Sequence, residues 1–241
     1  MKSGLKALLL IGMGLFLYSR IFTGKLFFYI NERFIWLSVL AAVGFIVVGA
    51  SYRYASRQAH EPGHDGHHHN FSWGGWLLVA LPIVLGLVVP PRPLGAAALT
   101  NRDVSLESLT SVASPENNVL LTTPDREKNI LDWLIEFRTA GDPAAFTGQE
   151  AQLIGFVYRD DRFKSDEFMA ARFVLSCCAA DAAPLGLIVH WPEASSLADD
   201  QWVEVTGHFE PGEFEGQSMP FLIAETVVPT EIPNRPYLYP Y

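Results

Sequence analysis

Positive charge is scarce over most of this chain. Residues 96–241 hold nine Lys/Arg against 23 Asp/Glu, a net charge of −14. A surface of that sign repels a phosphate backbone, which excludes nucleic acid as a partner. Catalytic signatures are missing as well. No Ser-His-Asp pattern, phosphate-binding glycine loop or paired-carboxylate motif stands out, so the expectation is a protein that is not an enzyme. Cysteine is almost absent, with Cys177 and Cys178 the only two thiols. Charge of either sign is nearly missing from long apolar runs near the N-terminus, and those runs set the architecture.

Residues 1–95 hold eight Lys/Arg against three Asp/Glu. A basic apolar part followed by an acidic mixed part predicts a membrane anchor and then a soluble domain. Leu5–Tyr18, Phe34–Ala50 and Trp73–Val89 are strongly apolar, near the lower limit of the roughly 17–25 residues that cross a bilayer. Three such runs are hard to place in a soluble core. Trp36, Trp73, Trp76, Tyr52 and Tyr54 sit near their ends, where amphipathic rings favour the membrane interface. Ser19-Arg20-Ile21-Phe22-Thr23 offers no small-residue cleavage pattern, against a signal peptide. The reading is a multi-pass cell-membrane protein with three transmembrane helices within residues 1–92, in contact with lipid. Loop charges are balanced, with Lys2, Lys6, Arg53 and Arg57 on one side and Arg20, Lys25, Arg33 and Arg92 on the other. The N-terminal amine beside Lys2 and Lys6 tips the orientation towards N-inside, which places the acidic domain outside the cytoplasm.

Residues 60–70 are histidine-rich: His60, His64, His67, His68 and His69, with Glu61 and Asp65 among them. Imidazole suits zinc, copper, cobalt and nickel, and a Gly/Pro-containing loop lets several rings converge on one ion. The competing readings are a polar membrane loop and a pH-sensing one.

Residues 93–124 read as a polar linker and 125–241 as a soluble domain. Asp125–Ala140 shows one amphipathic helix, opened by an acidic N-cap candidate and stopped before Gly141. Five short strands follow, at Glu150–Tyr158, Glu167–Cys177, Leu185–His190, Trp202–Phe209 and Phe221–Val228. Glycines at 155 and 207 fit the bends of a tight barrel. The fold class is therefore membrane-anchored α+β, ending in a small all-β barrel of OB-fold-like type, with a β-sandwich as the alternative. The proline- and tyrosine-rich Pro229–Tyr241 is expected to lie as an extended strip over the barrel.

Cys177 and Cys178 end an apolar run and precede Asp181. Neighbours in a regular strand point to opposite faces, so both thiols serve one site only if the strand breaks there, with His190 or His208 joining from a neighbouring strand. Two thiolates, a carboxylate and an imidazole suit zinc, and two thiolates alone suit Cu(I). A vicinal disulfide and a purely structural pair are the other two readings. Arg159, Arg162, Lys164 and Arg172 form a small basic patch, read as a solvated face.

Phe173-Val-Leu-Ser-Cys-Cys-Ala-Ala-Asp-Ala-Ala-Pro184, Gly155-Phe-Val-Tyr158 and Pro233-Asn-Arg-Pro-Tyr-Leu-Tyr239, with the layout of the apolar region, resemble the YcgQ-type family of two-component permease subunits. That resemblance implies work beside a separate integral-membrane permease of the YcgR type. The expectation is an accessory subunit of a membrane transport system handling a transition-metal ion, Zn2+ first. The alternative is a membrane-anchored thiol redox protein or sensor using the adjacent cysteines.

Overall fold

The computed structural model describes residues 2–58, 73–100 and 128–239. The histidine-rich loop 60–70 and residues 101–124 of the expected linker lie outside them. The chain divides into two units, Met1–Arg92 and Pro93–Tyr241.

In the first unit, α1 (Lys2–Phe22) and α2 (Ile35–Gln58) are long and apolar enough to cross a membrane. Leu8, Leu15, Val39, Leu40 and Val47 are exposed on them; outward apolar surface of this kind suits lipid rather than water. The two pack antiparallel, Gly14 against Ala42 and Ile46, and Gly49 against Ala7 and Ile11. Small residues at such crossings let backbones approach closely. α3 (Trp73–Val88) runs parallel to α1, with Gly12 facing Ile83 and Gly86 facing Phe16. It has 16 residues and Pro82 inside, so it spans about 24 Å against a hydrocarbon core of about 30 Å. Two of the three expected spans therefore reach crossing length among the described residues. The third forms a helix that is shorter.

The second unit is a mixed six-stranded sheet built on β1 (Glu150–Tyr158), β2 (Glu167–Val174), β3 (Ala183–His190), β4 (Trp202–Phe214), β5 (Gln217–Pro229) and β6 (Tyr237–Leu238). Its order is β1-β4-β5-β3-β2-β6, with a further β1–β2 pairing. β3–β5 and β2–β6 are parallel and the other pairs antiparallel. Each of β1 to β5 thus pairs with at least two other strands. The β4–β5 hairpin turns at Glu215 (φ 50°) and Gly216 (φ 77°), where two positive φ values match the right-handed twist of the flanking strands. Register shifts between Thr206 and Gly207. A Cβ on Gly207 would stand 2.0 Å from the Ile223 carbonyl oxygen, so glycine lets β4 bend onto β5.

β1 alternates in its first half, with Ala151 and Leu153 buried and Glu150, Gln152 and Ile154 exposed. Beyond Gly155 both faces are buried, because a second layer covers the outside. Ala96 and Leu99 of α4 (Ala96–Thr100) and Tyr237 of β6 pack with Phe156, Phe173 and Trp202. The start of the expected linker is therefore part of the domain. Leu94 N donates to Tyr237 Oη at 2.8 Å, Ala96 N donates to Asp200, and Leu99 is fully buried. The C-terminal strip is likewise pinned as β6.

The amphipathic helix is α5 (Ile130–Ala140), and it starts later than Asp125. Asn129 accepts from Leu131 N and Asp132 N, while Asp132 accepts from Asn129 N, a reciprocal cap that fixes the first turn. Trp133, Phe137, Phe146 and Phe209 form one aromatic cluster, with Trp133 and Phe209 centroids 4.8 Å apart. The helix thereby seals one side of the sheet's apolar interior.

Candidate functional site

β2 ends at Val174, three residues short of the expected Cys177. Leu175 N donates to Leu238 O at 3.0 Å, and the next three amides leave the ladder. Asp181 collects them. Ser176 N donates to Oδ1 at 3.1 Å, and Cys177 N and Cys178 N donate to Oδ2 at 2.7 and 3.3 Å. Ala179–Asp181 forms a single 3-10 turn that returns Asp181 N to Cys178 O. The strand break required for a shared site is thus made by the carboxylate three residues beyond the second cysteine.

The break brings the thiols together. Cys177 Sγ and Cys178 Sγ are 3.5 Å apart, with Cys177 exposed and Cys178 half-buried. Donor atoms of Cys177, Cys178 and Asp181 all lie within 4.8 Å of one another. The hydrogen bond to Asp181, reinforced by Cys178, pushes the Cys177 thiol up to about 12. Partial burial works against ionisation of Asp181, yet its bonds from the Cys177 side chain and the turn amides hold it below the ordinary carboxylate value. At neutral pH the turn is a carboxylate facing a protonated thiol. Soft cations bind thiolate, so an ion arriving here must displace that proton.

The histidines expected to join lie elsewhere. Glu167 pairs with His190 at one end of the β2–β3 ladder and Val174 with Ala183 at the other, which separates His190 from the cysteine turn by about 20 Å at the strand rise. His190 Nδ1 lies 3.5 Å from Asp166 Oδ2. With Glu167 these make a second group of close donors, but Glu167 is already bonded to Lys164 Nζ at 2.8 Å. His208 stands on β4 between Glu210 at 3.6 Å and Glu225 at 3.3 Å. His60, His64, His67, His68 and His69 lie outside the described residues.

The basic patch is not a free surface. Arg162 pairs with Asp160 at 2.6 Å, Lys164 with Glu167, and Arg159 donates to Leu197 O at 3.2 Å. Arg172 clasps the C-terminal strip, donating to Pro236 O at 3.0 Å and Arg235 O at 2.6 Å, with Trp202 beneath it at 5.8 Å. Burial lowers its guanidinium to about 10. Sequence reasoning missed this clasp, whose only signal was an arginine inside an otherwise apolar strand. A mostly apolar cavity of about 210 Å3 opens apart from the cysteine turn, lined in part by Phe137, Arg138, Met169, Ile188 and Met219.

Known proteins share this layout. The DUF1980 C-terminal domain matches residues 115–240, and the DUF1980 N-terminal domain matches residues 5–105. UPF0703 protein YcgQ of Bacillus subtilis is 19% identical, over 97% of this chain and 98% of its own length. A Streptococcus mutans protein named as a subunit of a two-component membrane permease complex is 23% identical, over 68% of this chain and 72% of its own.

Proposed function

The chain belongs to the DUF1980 family, and on that premise we propose that it is a non-catalytic accessory subunit of a membrane permease complex. The name of the streptococcal relative supports the assembly, and two outward-apolar helices support the membrane. Three helices make a poor conduit by themselves. The transport path belongs to a separate integral-membrane permease, of the YcgR type that the family resemblance implies.

In this reading α3 makes a third, locally thinned crossing, and the sheet domain lies outside the cytoplasm. That domain is an OB-like barrel. The support is its circuit of pairings, β1-β2-β3-β5-β4 and back to β1, and the bend at Gly207.

The domain offers a transition-metal ion, zinc first, the turn made by Cys177, Cys178 and Asp181, with the histidine loop as a second capture point. The observation that carries the metal reading is the 3.5 Å approach of two thiols beside a carboxylate already oriented by three backbone amides. When bound, the ion would be held by the two sulfurs, with Asp181 taking the Cys177 proton or adding an oxygen ligand. The redox alternative draws on the same approach of the sulfurs, and there too the Cys177 proton held towards Asp181 must leave before disulfide exchange.

The test is the full-length chain, purified without a histidine tag and titrated with zinc under reducing conditions. Binding of about one ion at the turn should release protons. Cys177→Ser and Cys178→Ser should each weaken it by about tenfold or more, and Asp181→Asn by less. Zinc binding unchanged in both cysteine variants would end the metal reading of the turn and leave only the histidine loop.

A further inference from the structure

The C-terminal end of α1 carries a feature that the transport reading does not use. Arg20, in the last turn of α1, donates to the Gly86 carbonyl near the end of α3, and its guanidinium stacks 4.9 Å over Phe16. Because α1 and α3 run parallel and α2 antiparallel, one end of the unit gathers Arg20, the 23–34 connection and the residues after α3. Among the described residues, that end holds Arg20, Lys25, Arg33 and Arg92 against one carboxylate, Glu32. Between Arg20 and Lys25 opens a cavity of about 220 Å3 whose walls are largely apolar, including Leu17, Leu26, Pro82 and Val89. Lys25 is exposed, and no ion pair is formed by its ammonium among the described residues.

We propose that this cavity seats an anionic phospholipid, its phosphate between Arg20 and Lys25 and an acyl chain along the apolar wall. Its chemistry matches both halves of such a molecule. A free phosphate would leave the apolar wall unused, and a neutral lipid would leave the cations unmatched. Arg20 is preorganised for the task, because Gly86 and Phe16 hold its guanidinium at the rim while part of its donor set remains. Lys25 sits a few residues past the end of an apolar helix, at the depth where headgroups lie if α1 crosses the bilayer, and an ammonium there can pair with a lipid phosphate. The inference rests on α1 being a membrane helix. It does not depend on a permease partner or on zinc.

The full-length chain in mild detergent, given phosphatidylglycerol or phosphatidylcholine and examined by native mass spectrometry, tests this. Phosphatidylglycerol should be retained in preference to phosphatidylcholine. Lys25→Gln should reduce that preference about fivefold, as expected for one basic group at an anionic surface. Lys6→Gln, near the other end of α1, should preserve it. Arg20→Gln should abolish it, and Lys25→Gln keeps the test decisive if loss of the Arg20–Gly86 bond unfolds the helix end. Equal retention of the two lipids, or a preference that survives Lys25→Gln, overturns the proposal. Stabilisation by inorganic phosphate with no lipid preference also overturns it, assigning the cations to a free anion instead.

Discussion

Asp181 does at the residue scale what the sequence left to be guessed. A carboxylate three residues past a cysteine pair reads as a possible ligand, and its first duty turns out to be the turn itself. Its folded value lies below the ordinary 3.8, so its contribution to the turn is present above that ordinary value and is lost as pH falls through the lowered one. The turn should therefore hold at neutral pH and loosen only in strong acid. The same contact keeps Cys177 protonated. Asp181→Asn should then raise the alkylation rate of Cys177 by iodoacetamide at pH 8 by about tenfold or more, because the thiolate is the reacting species. An unchanged rate, read by mass spectrometry, would mean that the carboxylate does not control the thiol.

Among the elements, the β4–β5 pair is the least tolerant of added bulk. Gly207→Ala places a carbon against the Ile223 carbonyl oxygen, which is backbone and cannot swing aside. The pair must separate, and the expected loss is at least about 2 kcal/mol in thermal or denaturant unfolding. Ala179→Ser, on the half-buried 3-10 turn, should cost under about 0.5 kcal/mol. Equal costs would show that the sheet tolerates a Cβ at the bulge. The strands were legible because Gly and Pro punctuate them and apolar residues crowd between. The cap of α5 was misplaced by four residues because Asp125 and Asn129 can both cap a helix. Only the reciprocal bond with Asp132 chooses between them.

For the whole molecule the architecture turns on α3. If Trp73–Val88 crosses, the histidine loop and the sheet domain face opposite sides of the membrane. Single cysteines replacing His64 and Glu225, in a chain with Cys177→Ser and Cys178→Ser, should then be labelled by an impermeant reagent from opposite sides. Labelling from one side would make α3 an interfacial helix, which its 16 residues and Pro82 also permit.

The apolar runs, the acidic second half and the alternation of the strands are local properties of composition and period, so the apolar N-terminal helices and the strand-rich domain were readable from the chain alone. Which residues share a site is a matter of register. His190 and His208 sit in strands that look adjacent to the cysteines in sequence logic, yet pairing Glu167 with His190 sends that histidine to the far end of β2. Packing of residues 94–99 and pairing of residues 237–238, in stretches that read as a linker and a terminal strip, cover the outer face of β1 and β2. The reason is physical: period tells which face a side chain takes, while the partner strand and its offset decide what stands opposite, and those are set only when the whole sheet closes its hydrogen bonds.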